Sequence, residues 1–139
     1  GHEPVWPSLG LQAVDCHDSD EATIQFVRRD WTRQLNKQTR DDPRLRCLAR
    51  LAYDSDALLA YWSADVGDGT RAEISVARWL GKPVAMASDD RSGRLDWPED
   101  DVPAFSPYCM PAEWTIAHCY PHAIDSIERQ AAKRAEATP

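Results

Sequence analysis

"ALLAYWSADVGDGTRAEISVARWLGKPVAMA", Ala57 to Ala87, decides how the chain is read. Ala57 to Trp62 is a nearly continuous apolar run bounded by polar residues, the pattern of a strand covered on both faces. A glycine-containing turn follows. The spacing then predicts a helix over Thr70 to Leu80 with Ile74, Ala77 and Leu80 inward, stopped by Gly81 and followed by Pro83. "PVAMA" is a further buried strand. A strand, a helix and a second apolar strand in immediate succession are the unit from which parallel sheets are built.

Working outward, "LQAVDC" (Leu11 to Cys16) suits a short strand. A helix is expected from about Glu21 to Lys37, with Ile24, Val27, Trp31 and Leu35 on one face. "TRDDP" breaks it, and Pro43 opens a second helix with Leu45, Leu48 and Leu51 inward. Residues 88 to 112 are acidic, proline-rich and aperiodic, a loop of a length usually reserved for function or disorder. "EWTIAHC" is expected as a last strand and Pro121 to Ala135 as a terminal helix carrying Ile124, Ile127 and Ala131 on one face. The expected order is β-α-α-β-α-β-loop-β-α: one α/β three-layer domain spanning 1–139, with a mostly parallel sheet of four to five strands. Gly1-His2 reads as a tag scar. In such sheets the ligand crevice lies beyond the carboxyl ends of the strands, which directs attention to residues 61–71, 87–96 and 119–122.

The bulk composition narrows the function classes. The 139 residues are 42% apolar and 28% charged, ordinary for a globular domain. A net charge of −7 disfavours nucleic acid and anionic membrane as partners, because both would repel the surface. A small nucleotide remains compatible, since helix N-termini bind phosphate without a basic protein. No apolar run reaches the roughly 20 residues of a membrane span, and no secretory leader is recognisable. The four cysteines, Cys16, Cys47, Cys109 and Cys119, form no C-x-x-C pair and are expected as reduced thiols in a cytoplasmic protein. Six tryptophans are many for this length, and some are expected at a pocket or interface.

Thr70 and Glu73 form T-x-x-E ahead of an apolar helical face, which is a capping box and explains both residue types by itself. Their place in the chain gives a second reading. Gly67 and Gly69 allow close backbone approach to a ligand, and Glu73 stands in the first helical turn after a buried strand. A phosphate loop is not the answer, because the P-loop lysine and the G-x-G-x-x-G spacing are both missing.

"YDSDALLAYW" and "DGTRAEISVARWLGKPVAMA" together resemble the centre of the nucleoside 2-deoxyribosyltransferase family and its nucleotide N-glycosidase relatives. The shared pattern is an Asp before the apolar strand, G-[ST]-x-x-E, a helix with small residues, and G-K-P-V into the next strand. It covers about Asp54 to Ala87. The resemblance implies a flavodoxin-like sandwich, no cofactor, a nucleoside or nucleotide substrate, and a homo-oligomer in which a partner completes the site. It further implies that Glu73 attacks C1′ of the sugar, as a carboxylate can trap an oxocarbenium-like centre. Asp56 matches the Asp that helps form the sugar end of the pocket. Gly67 stands where the family often has an Asp that helps the base leave, with Asp65 and Asp68 on either side as substitutes. Gly67, Gly69 and Thr70 would line the turn, and Tyr61 and Trp62 would offer a surface for the base. The family's opening G-P-F-like turn has no counterpart, which favours the alternative of a non-catalytic nucleotide-binding or interaction domain of the same fold.

Other groupings are weaker. His118, Cys119 and His122, with Cys109 or Cys16-His17, match no standard zinc spacing. His122 as an acid/base, Cys119 paired with His17, and Trp97 as a lid are open possibilities without a local signature. Arg28 to Gln34 reads as a solvated helix face.

Overall fold

A computed structural model describes residues 5–6, 11–14, 23–28, 36–62, 68–88, 102–105 and 116–137. Within these residues the chain forms a six-stranded sheet in simple sequential order. The strands are β1 (Val5–Trp6), β2 (Leu11–Val14), β3 (Thr23–Arg28), β4 (Ser55–Trp62), β5 (Val84–Ser88) and β6 (Ala104–Phe105). The helices are α1 (Lys37–Asp41), α2 (Pro43–Tyr53), α3 (Asp68–Trp79) and α4 (Ile116–Ala137).

The sheet is mixed, which corrects the expectation of a mostly parallel one. From β1 to β4 each neighbour is antiparallel, whereas β4, β5 and β6 run parallel. The departure traces to residues 23–28, expected inside a helix and found as β3. Ile24 and Val27 are three apart and mimic helical spacing. In the strand, Ile24 and Phe26 pack toward α4, while Thr23 and Gln25, both buried, alternate onto the opposite face, the period-two pattern of a strand. Three β-branched residues in six suit that conformation. Residues 29–35 of the expected helix lie outside the described residues.

Two cores line the two faces of the sheet. Phe26, Ala57, Leu59 and Ala85 pack with Ala123 and Ile127 of α4. Leu58, Ala60, Trp62, Val84 and Met86 pack with Leu51 of α2 and with Ile74 and Ala77 of α3. Alternate residues of β4 therefore serve opposite layers, which explains why its sequence is apolar almost throughout. The three-layer arrangement stands, with helices on both faces.

The "EWTIAHC" strand is also corrected, since α4 already includes Ile116 to Cys119. Cys119, Ala123 and Ile127 recur at intervals of four and are fully buried, a helical stripe whose first member lies before Pro121. Pro121 sits inside α4, near its start, where one intrahelical bond is lost. In α2 the inward residues are Cys47 and Leu51, whereas Leu45 is 40% exposed. In α3 the inward set is Thr70, Glu73, Ile74 and Ala77, and Leu80 is partly exposed.

The helix ends follow local chemistry. Asp42 caps α2 by accepting from the amides of Arg44 (3.0 Å) and Leu45 (3.4 Å), with Pro43 in the first turn. Gly81, at φ 71°, ends α3. Its amide donates to the Arg78 carbonyl and that of Lys82 to the Ala77 carbonyl, each at 2.8 Å, a Schellman motif that favours glycine at the left-handed position.

Candidate functional site

α2 and α3 lie on the same face of the sheet as Thr23 and Gln25, and a cavity of about 230 Å³ opens between the two helices. Arg44, Cys47 and Leu48 of α2 line one side, and Asp68, Gly69 and Glu73 of α3 the other. Arg44 and Asp68 are exposed while Glu73 is 2% exposed, so the cavity leads inward from the first two toward Glu73.

α3 begins at Asp68, so Thr70 is already its third residue and Glu73 its sixth. A capping box needs the Thr outside the first turn, and that placement is not the one adopted. Glu73 instead turns beneath the helix toward β3. There its Oε2 accepts from Thr23 Oγ1 at 3.0 Å and from Gln25 Nε2 at 3.2 Å. Gln25 Nε2 also donates to the Cys47 carbonyl at 2.9 Å, and Ser55 Oγ donates to Gln25 Oε1 at 2.8 Å. Thr23, Gln25, Ser55 and Glu73 are all buried. Buried polar groups persist in a core when they are mutually bonded, and this cluster joins β3, α2, β4 and α3.

The structure thus brings three of the sequence-designated residues, Glu73, Asp68 and Gly69, to one cavity. Thr70 is buried within the same helix. Trp62 is 2% exposed and faces the α2/α3 core, and the Arg71 guanidinium lies 4.8 Å from the centre of its ring. Its neighbour Tyr61 is half-buried and alternates onto the α4 face, away from the cavity. Asp65 and Gly67 lie outside the described residues, as do His17, Trp97 and the side chains of Cys16 and Cys109.

Asp56 occupies a different place. Phe26 pairs with Ala57 but Val27 pairs with Ser55, leaving Asp56 as the extra residue of a β-bulge. Thr23 pairs with Ala60, so Asp56 is four residues back toward the amino end of β4, about 13 Å along the strand. Lys82 is a charged neighbour of Asp56. The Lys82 ammonium donates to the carbonyls of Leu51 and Ala52 (3.0 Å) at the end of α2 and of Ser55 (2.6 Å) at the start of β4. Burial pushes the Lys82 amine below its ordinary value, while Asp56 and Asp54 act in the opposite direction and Arg134 adds to the lowering.

Among the described residues no group of three or more His, Cys, Asp and Glu is arranged to hold a metal ion. In α4, Cys119 turns into the core while His118 and His122 face outward, and the His122 ring stacks near Phe105 at 6.3 Å. Among the same residues, no helix is long and apolar enough to cross a membrane, and Cys47 and Cys119 are buried and outside any disulfide.

Sequence reasoning missed Thr23, Gln25 and Ser55. The signal available was "TIQF", in which polar and apolar residues alternate, but polar side chains facing a core look like the solvent face of a helix until their partner is known.

No protein-family model matches the chain, and comparison with characterised proteins and with solved structures finds no match.

Proposed function

We propose that the chain cleaves or transfers the N-glycosidic bond of a nucleoside or nucleotide, with Glu73 as nucleophile. The observation that supports this is a buried carboxylate held by two side-chain donors at a cavity it shares with a second carboxylate, Asp68. A Glu73 oxygen attacks C1′ as the C1′–N bond breaks, giving a glycosyl ester. Asp68 or Asp65 supplies the proton that the departing base takes up. Water, or a second base, then attacks C1′ to release the sugar and free the carboxylate, and the proton lost by that nucleophile restores the acid. A volume of about 230 Å³ is below the roughly 300–1,000 Å³ of drug-sized pockets, and suits a pentose with the base outside. Family resemblance extends the proposal to a flavodoxin-like arrangement, for which β4-α3-β5 is the compatible part. A reducing, cytoplasmic setting is part of the same proposal.

The test is chromatography for free base after incubation with a panel of nucleosides and nucleotides. The expected outcome is release by the wild type and none by a folded Glu73→Gln variant. Full activity in that variant contradicts the proposal.

The 2% exposure of Glu73 favours one alternative, a binding domain without chemistry. Thermal stabilisation by a nucleotide with no base released over long incubation selects it.

A further inference from the structure

Gln25 is fully buried, and its amide can take only one orientation. On one side it meets the Glu73 carboxylate and the Cys47 carbonyl, both acceptors; on the other it meets the Ser55 hydroxyl, which donates. Rotating the amide would set its oxygen against two acceptors, so the –NH₂ group faces Glu73. Thr23, two residues earlier on the same face of β3, places its hydroxyl on the same Glu73 oxygen.

Two donors from one strand therefore fix the carboxylate of a residue on a helix far from that strand in sequence. β3 is itself held through its register with β4, Thr23 opposite Ala60 and Gln25 opposite Leu58. α2 enters the same arrangement through the Cys47 carbonyl, so the position of the carboxylate depends on all three elements beneath the cavity.

We propose that Thr23 and Gln25 are positioning residues for the proposed reaction, acting through Glu73 Oε2 to fix the carboxylate where Glu73 lines the cavity between α2 and α3. This rests on the reading of Glu73 as nucleophile. Neither residue lines the cavity, so their loss changes the attack geometry and leaves substrate binding largely intact. Misplacement of a reacting group by about 1 Å can lower a rate by about 100-fold.

Four variants test the inference, with kcat and KM read separately for base release and folding followed by circular dichroism. Thr23→Val keeps the shape and removes the donor; Thr23→Ser restores a hydroxyl. Gln25→Glu keeps the shape and replaces the donating –NH₂ with an acceptor. Glu73→Gln reports on the underlying reading. The expected result is a roughly 10- to 100-fold fall in kcat for Thr23→Val with KM within about twofold, substantial recovery in Thr23→Ser, and a larger fall for Gln25→Glu. If the wild type releases base, Glu73→Gln does not, and folded Thr23→Val keeps full kcat, positioning is overturned while the nucleophile stands. Equal impairment of Thr23→Val and Thr23→Ser, in proportion to lost thermal stability, also overturns it in favour of a purely structural role. Absence of base release by the wild type, or activity in Glu73→Gln, overturns the reading of Glu73 and the positioning role with it. If Gln25→Glu fails to fold, the Thr23 pair decides.

Discussion

Glu73 is a core residue that also lines the cavity between α2 and α3. Buried under α3, it accepts from Thr23 and Gln25, and removing it takes that acceptor from the Thr23 hydroxyl and from one N–H of Gln25, whose amide keeps its bond to the Cys47 carbonyl. Glu73→Ala is accordingly expected to destabilise the fold by about 2–3 kcal/mol, the cost of leaving buried polar groups unbonded. Glu73→Gln retains an acceptor oxygen and is expected to lose less. Urea denaturation of the two variants checks this, and equal, negligible losses would show that the buried network contributes nothing. The residue type and its place after "GDGT" were legible in the sequence, because a carboxylate early in a helix after a buried strand is a recognisable pattern. Its partners were not. Thr23 and Gln25 lie about fifty positions earlier, and only the pairing of β3 with β4 brings them under the helix. The place of Asp56 was not legible for a related reason: a one-residue bulge at the amino end of β4 sets it near Lys82.

At the level of elements, ends were easier to read than faces. Pro43 after Asp42, and Gly81 before Pro83, marked helix boundaries through local chemistry that needs no tertiary partner. Asp42→Ala is expected to cost about 1 kcal/mol through loss of the α2 cap. Gly81→Ala is expected to cost about 1 kcal/mol or more, since φ 71° disfavours any side chain. A β-carbon there would also lie 3.0 Å from the Arg134 guanidinium. Thermal melts of both variants test these values. β3 and the start of α4 were misassigned for complementary reasons. Ile24 and Val27 gave β3 a false helical period, and Pro121 hid the turn of helix that precedes it. In both cases burial against the sheet overrode local signals.

Lys82 links elements and makes a pH prediction. Its ammonium ties two carbonyls at the end of α2 to one at the start of β4, yet burial holds its pKa below the usual value despite Asp56 and Asp54. The unfolded chain, near 10.5, then binds more protons than the folded one between the two values. Stability contributed at this position is lowest below the depressed value and increases as pH rises toward about 10.5. The melting temperature of the wild type relative to Lys82→Met should therefore improve as the pH rises toward 10.5. A steady decline in that difference would contradict the direction of the shift.

For the molecule as a whole, the α/β class and the helices on both faces followed from apolar strands alternating with amphipathic helices. The mixed sheet did not, because strand direction is set by which strands pair, and antiparallel β3 was read as helix. That correction also explains the site: antiparallel β3 delivers Thr23 and Gln25 to the carboxylate of α3. The central claim is that this carboxylate attacks a glycosidic carbon. Its most direct test is time-resolved chromatography of free base from a nucleoside and nucleotide panel, comparing the wild type with folded Glu73→Gln. Release by the wild type and its abolition in the variant is the predicted result; equal release by both, or none by either, would contradict it.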